Sequence, residues 1–278
     1  MSRKFKITFV SILFVLLAFA ILILLFKTNC KADNENLYGV YLGMNPEEIE
    51  DRDLAQTMVI DAQYYTEDEI SALKDEGHNV YTYLNLGSIE SFRDYYSDYK
   101  DITLGVYENW EDEQWVDVSQ AKWQEFISSK ADELLAKGVD GFFIDNCDVY
   151  YQYPTEEIFT GVSDILEDLK AKGGYVLING GDAFVTEYYN RNQSLDNVLD
   201  GVNQESVYTC IDWDNDSFGI NTLEDREYFS DYLNMVMEDD KDAYALEYAT
   251  DSEIEAEAMK YDSDMGYITY VSHSLELK

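Results

Sequence analysis

Apolar and polar positions along this chain follow three patterns, and each predicts a different element. Residues 7–26 are uncharged and rich in Leu, Ile, Phe and Val. That is long enough to span a bilayer. Arg3, Lys4 and Lys6 precede the stretch, and no small-x-small cleavage site follows it. It therefore reads as an uncleaved signal anchor with a cytoplasmic tip. The alternatives are a cleaved signal and a lipoprotein modified at Cys30. In every case the rest of the chain is expected outside the cytoplasm. It is single-pass in the cell membrane, or secreted after signal cleavage. The domain reading is 1–31 for tip and anchor, 32–36 for a short polar stem, and 37–278 for a folded domain.

Beyond the stem, short apolar runs alternate with helical stripes. The runs are Tyr38 to Leu42, Met58 to Asp61, Val80 to Leu86, Phe142 to Asp145, Tyr175 to Asn179, Val198 to Glu205, Ala243 to Tyr248 and Tyr267 to Val271. Between them, Thr66 and Glu69 form a capping box with Gly77 as the stop. Trp123, Phe126, Ile127, Ala131, Leu134 and Leu135 share one helical face. Further helices are expected from about Thr155 to Lys172, Thr222 to Glu238, and Ser252 to Tyr261. Eight continuous apolar strands separated by helices are the count of an α/β chain folded as a (β/α)8 TIM barrel. A full final helix is not expected, because seven residues follow the eighth run.

Most of the runs end in a polar group: Asp61, Asn85, Asp145, Asn179, Glu205, Glu247 and His273. In a barrel these ends converge on one mouth. The switch is sharpest in Gly138-Val139-Asp140-Gly141-Phe142-Phe143-Ile144-Asp145-Asn146-Cys147-Asp148-Val149-Tyr150. Asp145 and Glu205 end non-neighbouring strands and can face each other across the mouth. Two carboxylates flanking one bond are what glycoside hydrolysis requires. Asp61 and Glu247 compete for either role. Glu205 is expected as general acid/base and Asp145 as nucleophile or stabilising carboxylate; burial or a nearby carboxylate in the crowded mouth raises the pKa of the acid, a cationic sugar would oppose that rise, and the pH optimum is expected on the acid side.

Charge narrows the partners. Residues 1–31 hold five basic side chains and no acidic one. That leaves 14 of the 19 basic groups against all 57 acidic ones, a formal −43 outside the anchor. Such a surface repels nucleic acid and attracts cations. Tyr95, Tyr96, Tyr99, Tyr107, Trp110, Trp115 and Trp123 crowd the stretch between the third and fourth runs. Aromatic rings suit the apolar faces of sugars. Trp110 and Trp115, read as loop residues, are the better sugar contacts, and Trp123 reads as core. The three cysteines have no metal-ligand spacing, and a Cys147–Cys210 bridge is conceivable but not deducible. Asp212-Trp213-Asp214-Asn215-Asp216 resembles half a calcium loop, but Ser217 and Leu223 stand where Gly and Glu are required. No metal and no cofactor is expected.

Met58-Val59-Ile60-Asp61, Tyr83-Leu84-Asn85-Leu86-Gly87 with Glu90 and Arg93, the stretch 138–146, Asn179-Gly180-Gly181 and Glu205-Ser206 together resemble glycoside hydrolase family 114, the endo-alpha-1,4-polygalactosaminidase type. The resemblance covers about residues 37–272. It implies a (β/α)8 barrel that cuts a galactosamine-rich exopolysaccharide internally without a cofactor, with catalytic acids at Asp145 and Glu205. Substrate contacts are expected from Asp61, Tyr83, Asn85, Glu90, Arg93, Asn146, Asp148, Tyr150, Asn179, Glu247 and Tyr248. Deacetylated galactosamine is cationic, which agrees with the acidic surface. The competing reading is a non-catalytic acidic barrel that binds a cationic cell-surface or biofilm polysaccharide.

Overall fold

The computed structural model describes residues 36–49, 52–108, 110–215 and 217–278. The anchor expected at 7–26 lies outside them, as does most of the stem. Among the described residues no helix is long and apolar enough to cross a membrane.

Eight parallel strands form the centre: β1 (Tyr38–Val40), β2 (Thr57–Ile60), β3 (Asn79–Asn85), β4 (Gly141–Asp145), β5 (Tyr175–Asn179), β6 (Gly201–Glu205), β7 (Asp242–Tyr248) and β8 (Ile268–Ser272). Each pairs with its sequence neighbour, from β1 through β8. At the seam between β8 and β1, Tyr41 and Tyr270 meet edge to face at 5.6 Å. The result is a nearly closed (β/α)8 barrel. Six helices cover it: α1 (Glu67–Asp75), α2 (Ala121–Ala136), α3 (Glu156–Lys172), α4 (Asp182–Asn192), α5 (Leu223–Glu238) and α6 (Ser252–Met265).

Strand parity decides what each residue faces. Tyr81, Tyr83, Phe143, Leu177, Tyr244, Leu246 and Tyr248 fill the barrel interior. Their strand neighbours Leu84, Phe142, Ile144, Val176, Ile178, Ala243 and Ala245 pack outward beneath the helices. Burying a side chain such as Phe142 completely contributes roughly 1.5–3 kcal/mol. Helix ends follow local chemistry. Thr66 and Glu69 form the expected reciprocal capping box on α1. Thr155 caps α3, and Gly173 ends it with φ of 90°.

Three elements were not visible in the pattern. A three-stranded antiparallel sheet (Ser88–Glu90, Thr103–Val106, Glu113–Val116) is inserted between β3 and α2. A hairpin (Thr209–Asp212, Ser217–Ile220) follows β6, and the acidic stretch from Asp212 forms its turn. Helix α4 follows β5; its N-cap, Gly181, makes no side-chain capping bond, so the sequence carries no start signal there. After β8, residues 273–278 form no helix. They turn back over the mouth, where the Gly43 N–H donates to the Leu277 carbonyl at 3.2 Å.

Candidate active site

The C-terminal ends of the strands surround a cavity of about 640 Å³. At its centre one amide joins two acids. Asn179 Nδ2 donates to Asp145 Oδ1 at 3.0 Å and to Glu205 Oε1 at 2.7 Å. The amide is itself oriented from below. Asn203 Nδ2 donates to Asn179 Oδ1 at 2.7 Å, and the buried Tyr38 hydroxyl donates to Asn203 Oδ1 at 3.0 Å. On the far side the Tyr248 hydroxyl donates to Glu205 Oε2 at 2.6 Å. Because both contacts converge on one nitrogen, the two carboxylate oxygens can be no farther apart than the sum of 3.0 and 2.7 Å. That limit on the nearer pair of oxygens is compatible with the roughly 5–5.5 Å between the carboxyls of retaining glycosidases.

A third acid stands behind Asp145. Glu113, on the last strand of the inserted sheet, accepts from Asn85 Nδ2 at 2.7 Å, from Asn146 Nδ2 at 2.9 Å and from the Ser88 hydroxyl. Asn146 reaches it from a left-handed backbone position, φ 66°. Burial raises the Glu113 carboxyl pKa despite these donors. Asp145 is pushed up to about 8, first by burial and then by the Glu113 charge, with Asn179 opposing and Glu205 and Asp148 adding. Asp148 rises to about 6 through burial and Asp182, opposed by the Gly181 N–H.

The opposite wall carries a cation. Arg93 donates to Asp61 Oδ2 at 2.7 Å and Glu90 Oε1 at 2.9 Å, all three side chains being nearly fully buried. Burial works against the guanidinium charge, but Glu90 and Asp61 outweigh it, and the net shift is upward. At the rim, Trp110 from the inserted sheet and Trp213 from the hairpin meet edge to face at 6.2 Å.

Eleven of the expected residues line this cavity: Asp61, Tyr83, Glu90, Arg93, Trp110, Asp145, Asn146, Asp148, Asn179, Glu205 and Tyr248. Asn85 stands just behind, bonded to Tyr83, Ser88 and Glu113. Two do not reach it. Glu247 has no exposed surface and takes the outward parity of β7, opposite to Leu246 and Tyr248. Tyr150 packs against Phe159 and Phe184 under the helices. Trp115 is no loop residue either; it is buried in a strand and stacked on Tyr107. His273 stands away from the cavity, 3.3 Å from Glu255. Cys147 and Cys210 are both free thiols. The crowding expected from Asp61 and Glu247 is absent, since Arg93 pairs with Asp61 and β7 carries Glu247 outward. The lining carboxyls driven upward are Asp145, Asp148 and Glu113.

Glu113 and Trp213 also line the cavity and were not read as site residues, and Tyr107, read only as one of the crowded aromatics, lines it too. Glu113 sits in the acidic run Glu111-Asp112-Glu113, where nothing in the sequence distinguishes it from a solvated neighbour.

Comparison with known proteins agrees with this geometry. The glycoside hydrolase domain of PelA from Pseudomonas aeruginosa superposes with a TM-score of 0.71 at 20% identity, covering 87% of this chain and 94% of that one. Aspergillus fumigatus Ega3, solved in complex with galactosamine, gives 0.66 at 16% identity, covering 88% and 93%. An alpha-galactosidase from Thermus thermophilus gives 0.57 at 11% identity, covering 88% of this chain and 59% of that one. At these identities the likeness establishes the fold. No curated protein matches in sequence. The profile of glycoside hydrolase family GH114 matches residues 33–276, and the chain belongs to that family.

Proposed function

We propose that the protein is an extracellular, membrane-anchored, endo-acting glycosidase that cleaves a galactosamine-rich cationic polysaccharide with retention of configuration. The observation that carries this reading is the single Asn179 amide that bridges Asp145 and Glu205 across the mouth. Asp145, Asp148, Glu113 and Glu205 line the cavity. Its only cationic lining residue among those described, Arg93, is already paired with two acids. Such a site favours an ammonium group and disfavours an anionic sugar. Ega3 binds galactosamine in a barrel of the same fold.

Asp145 is assigned as nucleophile and Glu205 as general acid/base. In the free enzyme the proton rests on Asp145, the reverse of what the attack requires. A bound ammonium corrects this, because a cation beside Asp145 favours its ionised form. Glu205, as general acid, delivers a proton to the glycosidic oxygen as Asp145 attacks the anomeric carbon. Glu205 afterwards takes a proton from water, and that water releases the sugar from Asp145.

The test is incubation of residues 34–278 with partly deacetylated galactosaminoglycan and with neutral and anionic polysaccharides, read by mass spectrometry and by NMR of the first-formed anomer. Oligosaccharides of several lengths from the cationic polymer alone, with the anomer retained, are expected. Binding without cleavage overturns the reading in favour of a polysaccharide-binding barrel. The anchor is tested separately: the full chain should resist alkaline carbonate extraction from membranes, and release by it overturns anchoring.

A further inference from the structure

We propose that Glu247 is a positioning residue for Glu205, holding from behind β7 the segment that leaves β6. The proposal rests on Glu205 having the catalytic role assigned above. Glu247 is wholly buried yet richly bonded. Its carboxylate accepts the Tyr208 N–H at 2.7 Å, the Thr209 N–H at 2.8 Å and the Thr209 hydroxyl. These donors lie three and four residues beyond Glu205. The segment between turns sharply at Ser206, a non-glycine at φ 56°. Asn221 Nδ2 also ties the corner, donating to the Ser206 carbonyl at 2.6 Å.

The clamp reaches Glu205 by a second route. Thr209 Oγ1 accepts the Tyr248 backbone N–H at 3.0 Å, and the Tyr248 hydroxyl, on the other face of the same strand, donates to Glu205. Glu247 therefore fixes both the chain that carries Glu205 and the strand position whose side chain orients it. An error of about 1 Å in such a group costs on the order of a hundredfold in rate.

Burial pushes the Glu247 pKa up, its hydrogen-bond donors oppose that rise, and a second buried acid stands near it. Asp262, on α6, is also wholly buried. Its Oδ2 accepts from Thr269 Oγ1 at 3.1 Å, and its Oδ1 has no hydrogen-bond partner among the described residues. A buried anion with an unpaired oxygen is costly, whereas one with three donors is satisfied. The proton of this pair belongs on Asp262. Burial and the Glu247 charge both push the Asp262 pKa upward.

Isosteric exchange separates the two acids. Asp262→Asn replaces one neutral group by another. Glu247→Gln turns an amide N–H toward backbone N–H donors. In Glu247→Gln the Tyr208 and Thr209 amides should exchange hydrogen at least about tenfold faster. On galactosamine polymer its kcat should fall about tenfold or more, with KM held within about twofold. Asp262→Asn should change neither. Thr209→Ser should behave as wild type and Thr209→Val as Glu247→Gln, a comparison that stands even if Glu247→Gln fails to fold. Unchanged amide exchange in Glu247→Gln, or equal loss in Asp262→Asn, overturns the proposal whether or not the enzyme turns over. A wild type that leaves galactosamine polymer intact overturns the functional reading instead, while the exchange comparison still decides the clamp.

Discussion

The Tyr248 hydroxyl lies 2.6 Å from Glu205 Oε2, and its own pKa is held far above the usual phenol range, first by burial and then by the Glu205 charge. It therefore donates at every pH the protein tolerates. Tyr248→Phe removes this donor and little else. It should lower kcat by roughly ten- to a hundredfold with a small change in KM, since a hydrogen bond to a charged group contributes about 1.5–3 kcal/mol. Steady-state kinetics on the cationic polymer measure it.

Asp145→Asn and Glu205→Gln should each reduce kcat by at least about a thousandfold, because each removes a group needed in the transition state. Azide then separates the roles on a substrate with an activated leaving group. With Asp145→Asn it should yield a glycosyl azide of inverted configuration; with Glu205→Gln, one of retained configuration. The opposite pattern exchanges the two assignments.

Stability should carry the mark of Asp145. Its folded pKa of about 8 lies above the ordinary carboxylate value. Between the two values the folded state holds a proton that the unfolded chain releases. The stabilisation from that proton is complete at acid pH and is lost as pH rises through about 8. Asp148, raised to about 6, adds to the early part of the decline. Thermal unfolding between pH 5 and 9 should show Tm falling with pH in the wild type and falling less in Asp145→Asn. Above pH 8 the variant should be the more stable protein.

The same proton sets the activity profile. With Asp145 protonated in the free enzyme, kcat/KM should rise with pH toward about 8, whereas kcat, which reports the ammonium-bound complex, should reach its plateau at lower pH. This differs from the acid-side optimum expected of a crowded acidic mouth meeting a cationic sugar. Coincident limbs in the two profiles exclude substrate-driven ionisation.

At the rim, Trp110→Ala and Trp213→Ala should each raise KM for long polymer roughly three- to tenfold, the scale of one lost aromatic contact. Turnover of a short chromogenic substrate should be unchanged. Equal effects on both substrates would place the rings in the catalytic subsite.

The barrel was legible because its strands are apolar on both faces and end abruptly in polar groups. That combination is uncommon outside parallel sheets. The same property hid the facing of β7. With Tyr244, Leu246 and Tyr248 on one face and Ala243 and Ala245 on the other, both sides are buried, so nothing in the run says that Glu247 points away from the mouth. Asn179 was legible as a strand end but not as the bridge between two acids, which depends on the register that sets it opposite Asn203. Glu113 was invisible because its strand belongs to an insertion with no periodicity long enough to read. Its charge matters only after folding brings it beside Asp145.

The chain has four tryptophans, and the barrel sorts them into two optical classes. Trp115 and Trp123 are 4% and 1% exposed, while Trp110 and Trp213 are 46% and 47% exposed and touch each other above the cavity. A water-borne quencher such as acrylamide therefore reaches one pair and not the other. A polysaccharide lying across the rim shields the pair that the quencher reaches. Intrinsic fluorescence thus offers a label-free titration of polymer arrival, and it works equally well in a variant that no longer cuts.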